Sequence, residues 1–317
     1  MKGIIVLPIV LGSLLLVGGG VVLGVGIANS KADSKIVTRE HAIEETFENI
    51  NIDIETANLE FVTTSGEAKV VCEERENIEH VVEVKENTLS VRYTEEAMKW
   101  YEKVFNFNWK KERITVYLPV TTYGDVSIKC STGKMNIEGE YTFNNLEISA
   151  STGALTLNID VVNKLEVKMS TGAINLEDMS AKEMDIKAST GDIALKNVNV
   201  EEKINIKAST GDADLRKVRA KNLQVNLSTG DLDLNDVLIE ERTEFKASTG
   251  KFTFTAFDSE TLKCKTDTGD IKGSIISQHV IFANSHTGKV DVPHYTTGGE
   301  WDIETDTGRI VIKDATH

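Results

Sequence analysis

Three things that many functional classes depend on are in short supply in this 317-residue chain. Basic residues are outnumbered: 35 Lys and Arg stand against 50 Asp and Glu, for a formal net charge of −15. With acids in such excess no broadly basic surface is available to displace phosphate counterions, which argues against nucleic acid as a partner. It suits instead a self-repelling, soluble surface that recruits cations. Aromatic residues make up only 6%. Cysteine is scarcer still: Cys72, Cys130 and Cys264 show no metal-ligand spacing and, being three, cannot all pair within one chain. That excludes a disulfide-stapled scaffold, and no cofactor is expected.

Charge is missing altogether between Ile4 and Ala28 (IIVLPIVLGSLLLVGGGVVLGVGIA), with only Lys2 before it. As a helix, 25 residues would span roughly 37 Å, enough to cross a hydrocarbon layer of about 30 Å. Gly26-Ile27-Ala28 would serve as a small-residue cleavage site, so a signal peptide competes with a retained anchor. The run is longer than the usual apolar segment of about 7–15 residues, which favours the anchor. The expectation is a single-pass transmembrane helix within residues 1–28, in contact with the lipid bilayer through residues 4–28. Lys31, Lys35 and Arg39 follow the span and only Lys2 precedes it, so an extracytoplasmic placement of the bulk rests on the signal-like N-terminus and not on charge counting.

What the chain has in abundance is one phrase. KASTGD runs from Lys187 to Asp192 and again from Lys207 to Asp212, and Ser-Thr-Gly recurs at 131, 151, 170, 189, 209, 228 and 248. Counted by glycine, the units are marked by Gly133, Gly153, Gly172, Gly191, Gly211, Gly230, Gly250, Gly269, Gly288 and Gly308, always 19 or 20 residues apart. Apolar residues alternate on each side of the glycine, as in Met184, Ile186, Ala188 and then Ile193, Leu195. Period two on both sides with a phase break between them predicts two short strands and a corner, where glycine takes a positive φ. A constant perimeter favours a parallel β-solenoid over a meander of hairpins. About ten coils at about 4.8 Å each would make a rod of roughly 48 Å, its corner threonines stacked in one ladder.

The outward positions read as a wall. Lys129, Lys168, Lys187, Lys207, Lys246 and Lys265 stand four before their glycines, and Glu147, Glu166, Asp185 and Glu244 stand two earlier. Side by side, these columns predict a salt-laced solvated face, each pair worth about 0–1 kcal/mol. Residues 29–120 are less regular and read as a linker and N-terminal capping β region, with residues 121–317 as the solenoid. One segment there, Thr94 to Arg113, gathers Trp100, Tyr101, Phe105, Phe107 and Trp109. It reads as an end cap or as a docking or membrane-interface patch.

Several motifs invite chemistry. Asp267-Thr268-Gly269 and Asp306-Thr307-Gly308 spell the aspartic-protease triplet, but at two coils apart their carboxylates would be roughly 10 Å from sharing a proton. Asp212, Asp214, Asp231 and Asp233 form the densest acidic group. It reads as a solvated face, as a weak Ca²⁺ site, or as the carboxylates of a polysaccharide-active β-helix enzyme. Those coils carry no Trp or Tyr to act as sugar platforms. His279, His286 and His294 share no repeat position that would bring them together.

FENINIDI from Phe47 to Ile54, ITVYLP from Ile114 to Pro119 and the string of STG coils together resemble the bacterial adhesin-type β-strand-repeat family called toast-rack. The resemblance covers nearly everything after the apolar run. It implies an extracytoplasmic β-solenoid of cell-envelope proteins linked to envelope-stress operons, with no catalytic residues to carry over. The insertion at 94–113 departs from it. The reading is therefore an all-β, membrane-anchored solenoid at the cell membrane. It would be an interaction or scaffold module without enzymatic activity, meeting an envelope protein or polymer.

Overall fold

The computed structural model describes residues 20–27, 36–76, 79–93 and 112–315. Every element among the described residues is a strand. The N-terminal group comprises β1 (Gly20–Ile27), β2 (Ile36–Ile43), β3 (Asn49–Thr56), β4 (Asn58–Thr64), β5 (Lys69–Arg75), β6 (His80–Lys85), β7 (Thr88–Tyr93) and β8 (Arg113–Pro119). The regular body follows as β9 (Thr122–Thr171), β10 (Ile174–Thr190), β11 (Ile193–Thr210), β12 (Ala213–Thr229), β13 (Leu232–Thr249) and β14 (Phe252–Thr268). The C-terminal end holds β15 (Ile271–Ile275), β16 (Val280–Ser285), β17 (Val290–Asp291), β18 (Glu300–Thr307) and β19 (Ile310–Asp314).

The body is a parallel β-solenoid. Ile174 lies against Ile193, Leu176 against Leu195, Ile186 against Ile206 and Ala188 against Ala208. The next turn repeats the pattern with Ala213, Leu215, Val225 and Leu227. These inward residues are buried and form one continuous core. The threonines form the expected ladder, Thr171 to Thr190 to Thr210 to Thr229 to Thr249 to Thr268. At each corner the glycine N–H reaches the threonine carbonyl of the next turn, as in Gly191 to Thr210 at 2.9 Å.

The corner glycines meet two demands. Gly211 has φ 134°, and a Cβ there would lie 2.2 Å from the Gly191 carbonyl oxygen. Neither the conformation nor the approach admits a side chain.

A unit has three straight runs, where the sequence suggested two. A second corner lies six residues after the glycine, at Asp178, Asn197, Lys217, Asp236 and Ala256, each with φ between 50° and 56°. A third absorbs the alternation of 19 and 20 residues. Ala181 pairs with Val200 but Glu183 with Lys203, so the longer turn carries its extra residue around Glu201 and Glu202. The glycine corners thus stay in register whatever the length of the turn.

About eight turns, Gly133 to Gly269, follow one another in chain order, not the ten suggested by counting glycines. At the C-terminal end the order inverts. Thr268 pairs with Thr307, Ile271 with Ile310, and β16 lies on the far side of β18. The turn of Gly308 therefore sits between those of Gly269 and Gly288, and the threonine ladder passes from Thr268 to Thr307. The N-terminal end mirrors this arrangement. β3 lies between β7 and β9, and β4 has β8 as one neighbour and β9 as the other. Equal periods carry no information about this order, which is why the repeat count missed it.

Among the described residues, two groups of buried aromatics lie where the regular stack ends. Phe61, Tyr123, Tyr141 and Phe143 contact one another near the N-terminal end, and Phe245, Phe254, Phe257 and Trp301 do so near the C-terminal end.

The expectation of a helix across Ile4–Ala28 is not met over Gly20–Ile27. There the backbone is extended and pairs antiparallel with β2, Gly20 opposite Ile43 and Ile27 opposite Val37. Its sequence, GVVLGVGI, explains the choice: valine favours strands, and each glycine weakens a helix by about 1 kcal/mol. The rest of the apolar run lies outside the described residues, among which no helix is long and apolar enough to cross a membrane.

Candidate functional site: a lysine–serine trough

The strand that leads into each glycine corner presents two outward residues, four and two positions before the glycine, around one inward residue. Stacking these triplets builds a trough of about 850 Å³ along the solenoid axis. One rim is Lys129, Ser149, Lys168, Lys187, Lys207 and Asn226; the other is Ser131, Ser151, Ser170, Ser189, Ser209 and Ser228. Its floor is the strand backbone around the inward residues between the two rims, including Ala150, Met169, Ala188 and Ala208. Six rungs at about 4.8 Å give a length of roughly 25–29 Å.

The lysines are not equivalent. Lys168 contacts Glu166 at 2.8 Å and Glu147 at 3.3 Å, and Lys187 contacts Asp185 at 2.9 Å. Hydrogen bonds from Lys168 and Lys164 hold the Glu166 carboxyl down at about 2. These contacts form the expected salt-laced wall. Lys129 and Lys207 have no carboxylate within ion-pair distance among the described residues. The reason is local: beside Lys207 and Lys129 stand Asn205 and Ser127, where the turns of Lys168, Lys187 and Lys246 carry Glu166, Asp185 and Glu244, and Asn205 donates its own amide to Asp185 at 2.9 Å. The trough therefore offers two uncommitted ammonium groups on a rim of hydroxyls.

The acidic group behaves differently. The aspartate after each corner glycine accepts the backbone N–H of the next turn: Asp192 from Asp212 at 3.0 Å, Asp212 from Asp231 at 2.8 Å, and Asp231 from Lys251 at 2.8 Å. The final letter of STGD is thus an axial clamp. Asp214 is held by Arg216 through contacts of 2.6, 2.9 and 3.0 Å. Of the four expected metal ligands, only Asp233 accepts no hydrogen bond among the described residues.

The two Asp-Thr-Gly triplets are closer than expected. Because the turn of Gly308 inserts beside that of Gly269, Thr268 and Thr307 are direct partners. The separation is one strand spacing, not two, yet Asp267 and Asp306 both stand exposed at the corner.

His279 lies apart from His286 and His294 in the repeat, stacked on Trp301 with centroids 4.3 Å apart. Its Nε2 meets both Asp258 at 2.7 Å and Ser277 at 2.9 Å, and the serine also donates to Asp258. A catalytic relay needs the serine and the aspartate on opposite ring nitrogens. Burial alone would raise the Asp258 pKa, but hydrogen bonds from His279 and Ser277 outweigh it and leave it lowered. Trp100, Tyr101, Phe105, Phe107 and Trp109 lie outside the described residues.

A family model described as Toastrack DUF4097 matches residues 47–207 and 201–314. No curated protein matches the chain. Similar solved structures include a "putative adhesin" from Parabacteroides merdae, 13% identical over 88% of this chain and 96% of that one, with a TM-score of 0.49. A "putative adhesin" from Parabacteroides distasonis is 14% identical over 89% and 98%, with a TM-score of 0.49. A "putative lipid binding protein" from the same species is 19% identical over 75% and 94%, with a TM-score of 0.47.

Proposed function

As the chain belongs to the Toastrack DUF4097 family, we propose that it is an adhesin-like interaction module of the bacterial cell envelope, held to the membrane by its apolar N-terminal run. In this reading the rod stands on the extracytoplasmic side and lays an extended partner along the lysine–serine trough. The observation that carries it is the continuous column of six serines beside four lysines, at one strand spacing, along one wall. Such a wall fits a linear anionic polymer better than a compact ligand: successive acidic units would meet successive rungs, and Lys129 and Lys207 would supply unpaired positive charge. We assign the module no catalysis, since Asp212 and Asp231 clamp the backbone and Asp214 is neutralised by Arg216.

Attachment to a bilayer would change the partner of Gly20–Ile27. In lipid its polar backbone groups have to bond within the segment, as a helix, and would leave the edge of β2. A reporter fused after His317 reads the side of the membrane directly, and a cytoplasmic signal defeats the placement. Binding is tested with an immobilised rod and a linear polyuronate in a salt series. Lys129→Glu with Lys207→Glu should cut retention at least about tenfold and flatten the salt dependence. Unchanged retention in the double variant removes the trough from the reading.

A further inference from the structure

The N-terminal cap contains a buried cluster that the trough does not use. Cys72 and Glu74 are two residues apart on β5 and so share its inward face, and His80 opens β6 after a short turn. Cys72 Sγ, a Glu74 carboxylate oxygen and a ring nitrogen of His80 all lie within 4.8 Å of one another, and all three residues are buried. His80 Nδ1 is 2.5 Å from Glu74 Oε2, and the His80 backbone N–H donates to the same oxygen at 3.0 Å. Arg39 on β2 engages the other oxygen, Oε1. Tyr93 meets the His80 ring edge-on at 5.9 Å.

A second observation comes from the neighbouring strand. His41 on β2 is 8% exposed, and its Nε2 has no hydrogen-bond partner. A buried ring nitrogen left without a partner costs about 1–3 kcal/mol, so it calls for an explanation. Register puts Arg39 opposite Cys72 and His41 opposite Val70, one pair further along the same face. Burial lowers the His41 pKa, and the charges of Glu74, Arg39 and His80 all act upon it. The ring lies beside the three donors but outside the group whose ligand atoms fall within 4.8 Å of one another, so it would turn inward to reach an ion they hold.

We propose that Cys72, Glu74 and His80, with His41 as the fourth donor, form a closed structural site for a zinc-type divalent transition-metal ion. One thiolate, two imidazoles and one carboxylate make a borderline-soft set that favours Zn²⁺ over Ca²⁺ or Mg²⁺. With four protein donors no position stays open for a reacting water, which makes the role structural. The bond between Arg39 and Glu74 Oε1 would orient the carboxylate while Oε2 turns from His80 to the ion. The ion would bridge two walls of the cap, since β5 pairs with β8 and β6 pairs with β7.

The test is Co²⁺ added to the full chain in mild detergent, read by the near-ultraviolet charge-transfer band of a cobalt–thiolate bond. One equivalent should produce the band, and one equivalent of Zn²⁺ should bleach it. The band should survive in Cys130→Ala with Cys264→Ala, which leaves Cys72 as the sole thiol and the cluster untouched. His41→Gln should weaken Zn²⁺ binding at least about tenfold without removing the band. No band in the parent protein at millimolar Co²⁺ overturns the proposal and leaves a buried Arg39–Glu74–His80 charge network. Loss of the band in the Cys130/Cys264 double variant overturns it equally, because the metal would then have been on the other cysteines.

Discussion

Replacing Gly211 by valine tests the corner from two sides. The native φ of 134° is one that a β-branched residue rarely adopts, at a cost of about 1–3 kcal/mol. The new Cβ would also fall 2.2 Å from the Gly191 carbonyl oxygen and 2.6 Å from its carbon, so neighbouring turns would have to part by about an ångström. Parting them stretches the bonds from Gly191 to Thr210 at 2.9 Å and from Ile193 to Asp212 at 2.9 Å. Each contributes about 1 kcal/mol net. The expected loss is about 3–5 kcal/mol. At roughly 2–4 °C per kcal/mol for a domain of this size, the Tm should fall by about 10 °C. Thermal unfolding followed by circular dichroism reads this directly. The internal contrast is Lys217→Gly, at the second corner with φ 52°. A left-handed lysine costs about 1–2 kcal/mol that glycine does not, so this variant should hold or gain stability. An unchanged Tm for Gly211→Val, or equal losses in both variants, would refute the two-corner account.

Three other outcomes are expected. Cys130 and Cys264 are buried, unpaired and seven turns apart, so peptide mass spectrometry without reduction should find no link between them; one would break the register of the rod. Stability should fall as pH drops from about 4 towards 2. Glu166 is held at about 2 by Lys168 and Lys164, and Asp270 is held well below its ordinary range by Arg309. A depressed carboxyl stabilises fully above its unfolded value and loses that contribution as pH falls through the folded one. Because these groups face solvent, molar salt should shrink the effect in acid titrations of the folded fraction. Millimolar Ca²⁺ should leave the Tm unchanged, because three of the four clustered aspartates are already engaged. A rise that Asp214→Asn with Asp231→Asn abolishes would make Asp212, Asp214, Asp231 and Asp233 a metal site after all.

The solenoid was legible because its inward columns, such as Leu176, Leu195 and Leu215, repeat at a period that only a stacked coil needs. The glycine corner was legible for the same reason. The corner six residues later was only half visible. Asp178, Asn197 and Asp236 are residue types that tolerate a left-handed backbone, but Lys217 and Ala256 at the same position are not, so composition blurred the column. The aspartates were visible as charge but not as clamps, since a carboxylate that accepts a backbone N–H looks the same in sequence as one in water. The cap cluster was hidden because its one cysteine, Cys72, has no second cysteine at a metal-ligand spacing. Cys72 and Glu74 two apart on a strand, with a histidine just beyond the turn, were the available signal.

The inverted order at both ends governs how the rod can come apart. In an ordinary solenoid the terminal coil is the outermost layer, and pulling or nibbling at a chain end peels it like tape. At the C-terminal end the outer layer, β16 and β17, is an internal segment of the chain and β18 is gripped on both edges, while at the other end β3 is held between β7 and β9 beneath the antiparallel β1 and β2. A pull on the C-terminal end loads two ladders at once, in shear along the strands, and their hydrogen bonds cannot be opened singly from an edge. From the N-terminal side β1 and β2 can part from β5 first, and the next strand, β3, is the mechanical clamp on the body. Synthesis meets the same constraint from the other side. The last turn leaves the ribosome after the layer that will cover it, so β18 and β19 must enter between finished neighbours, as a keystone enters an arch.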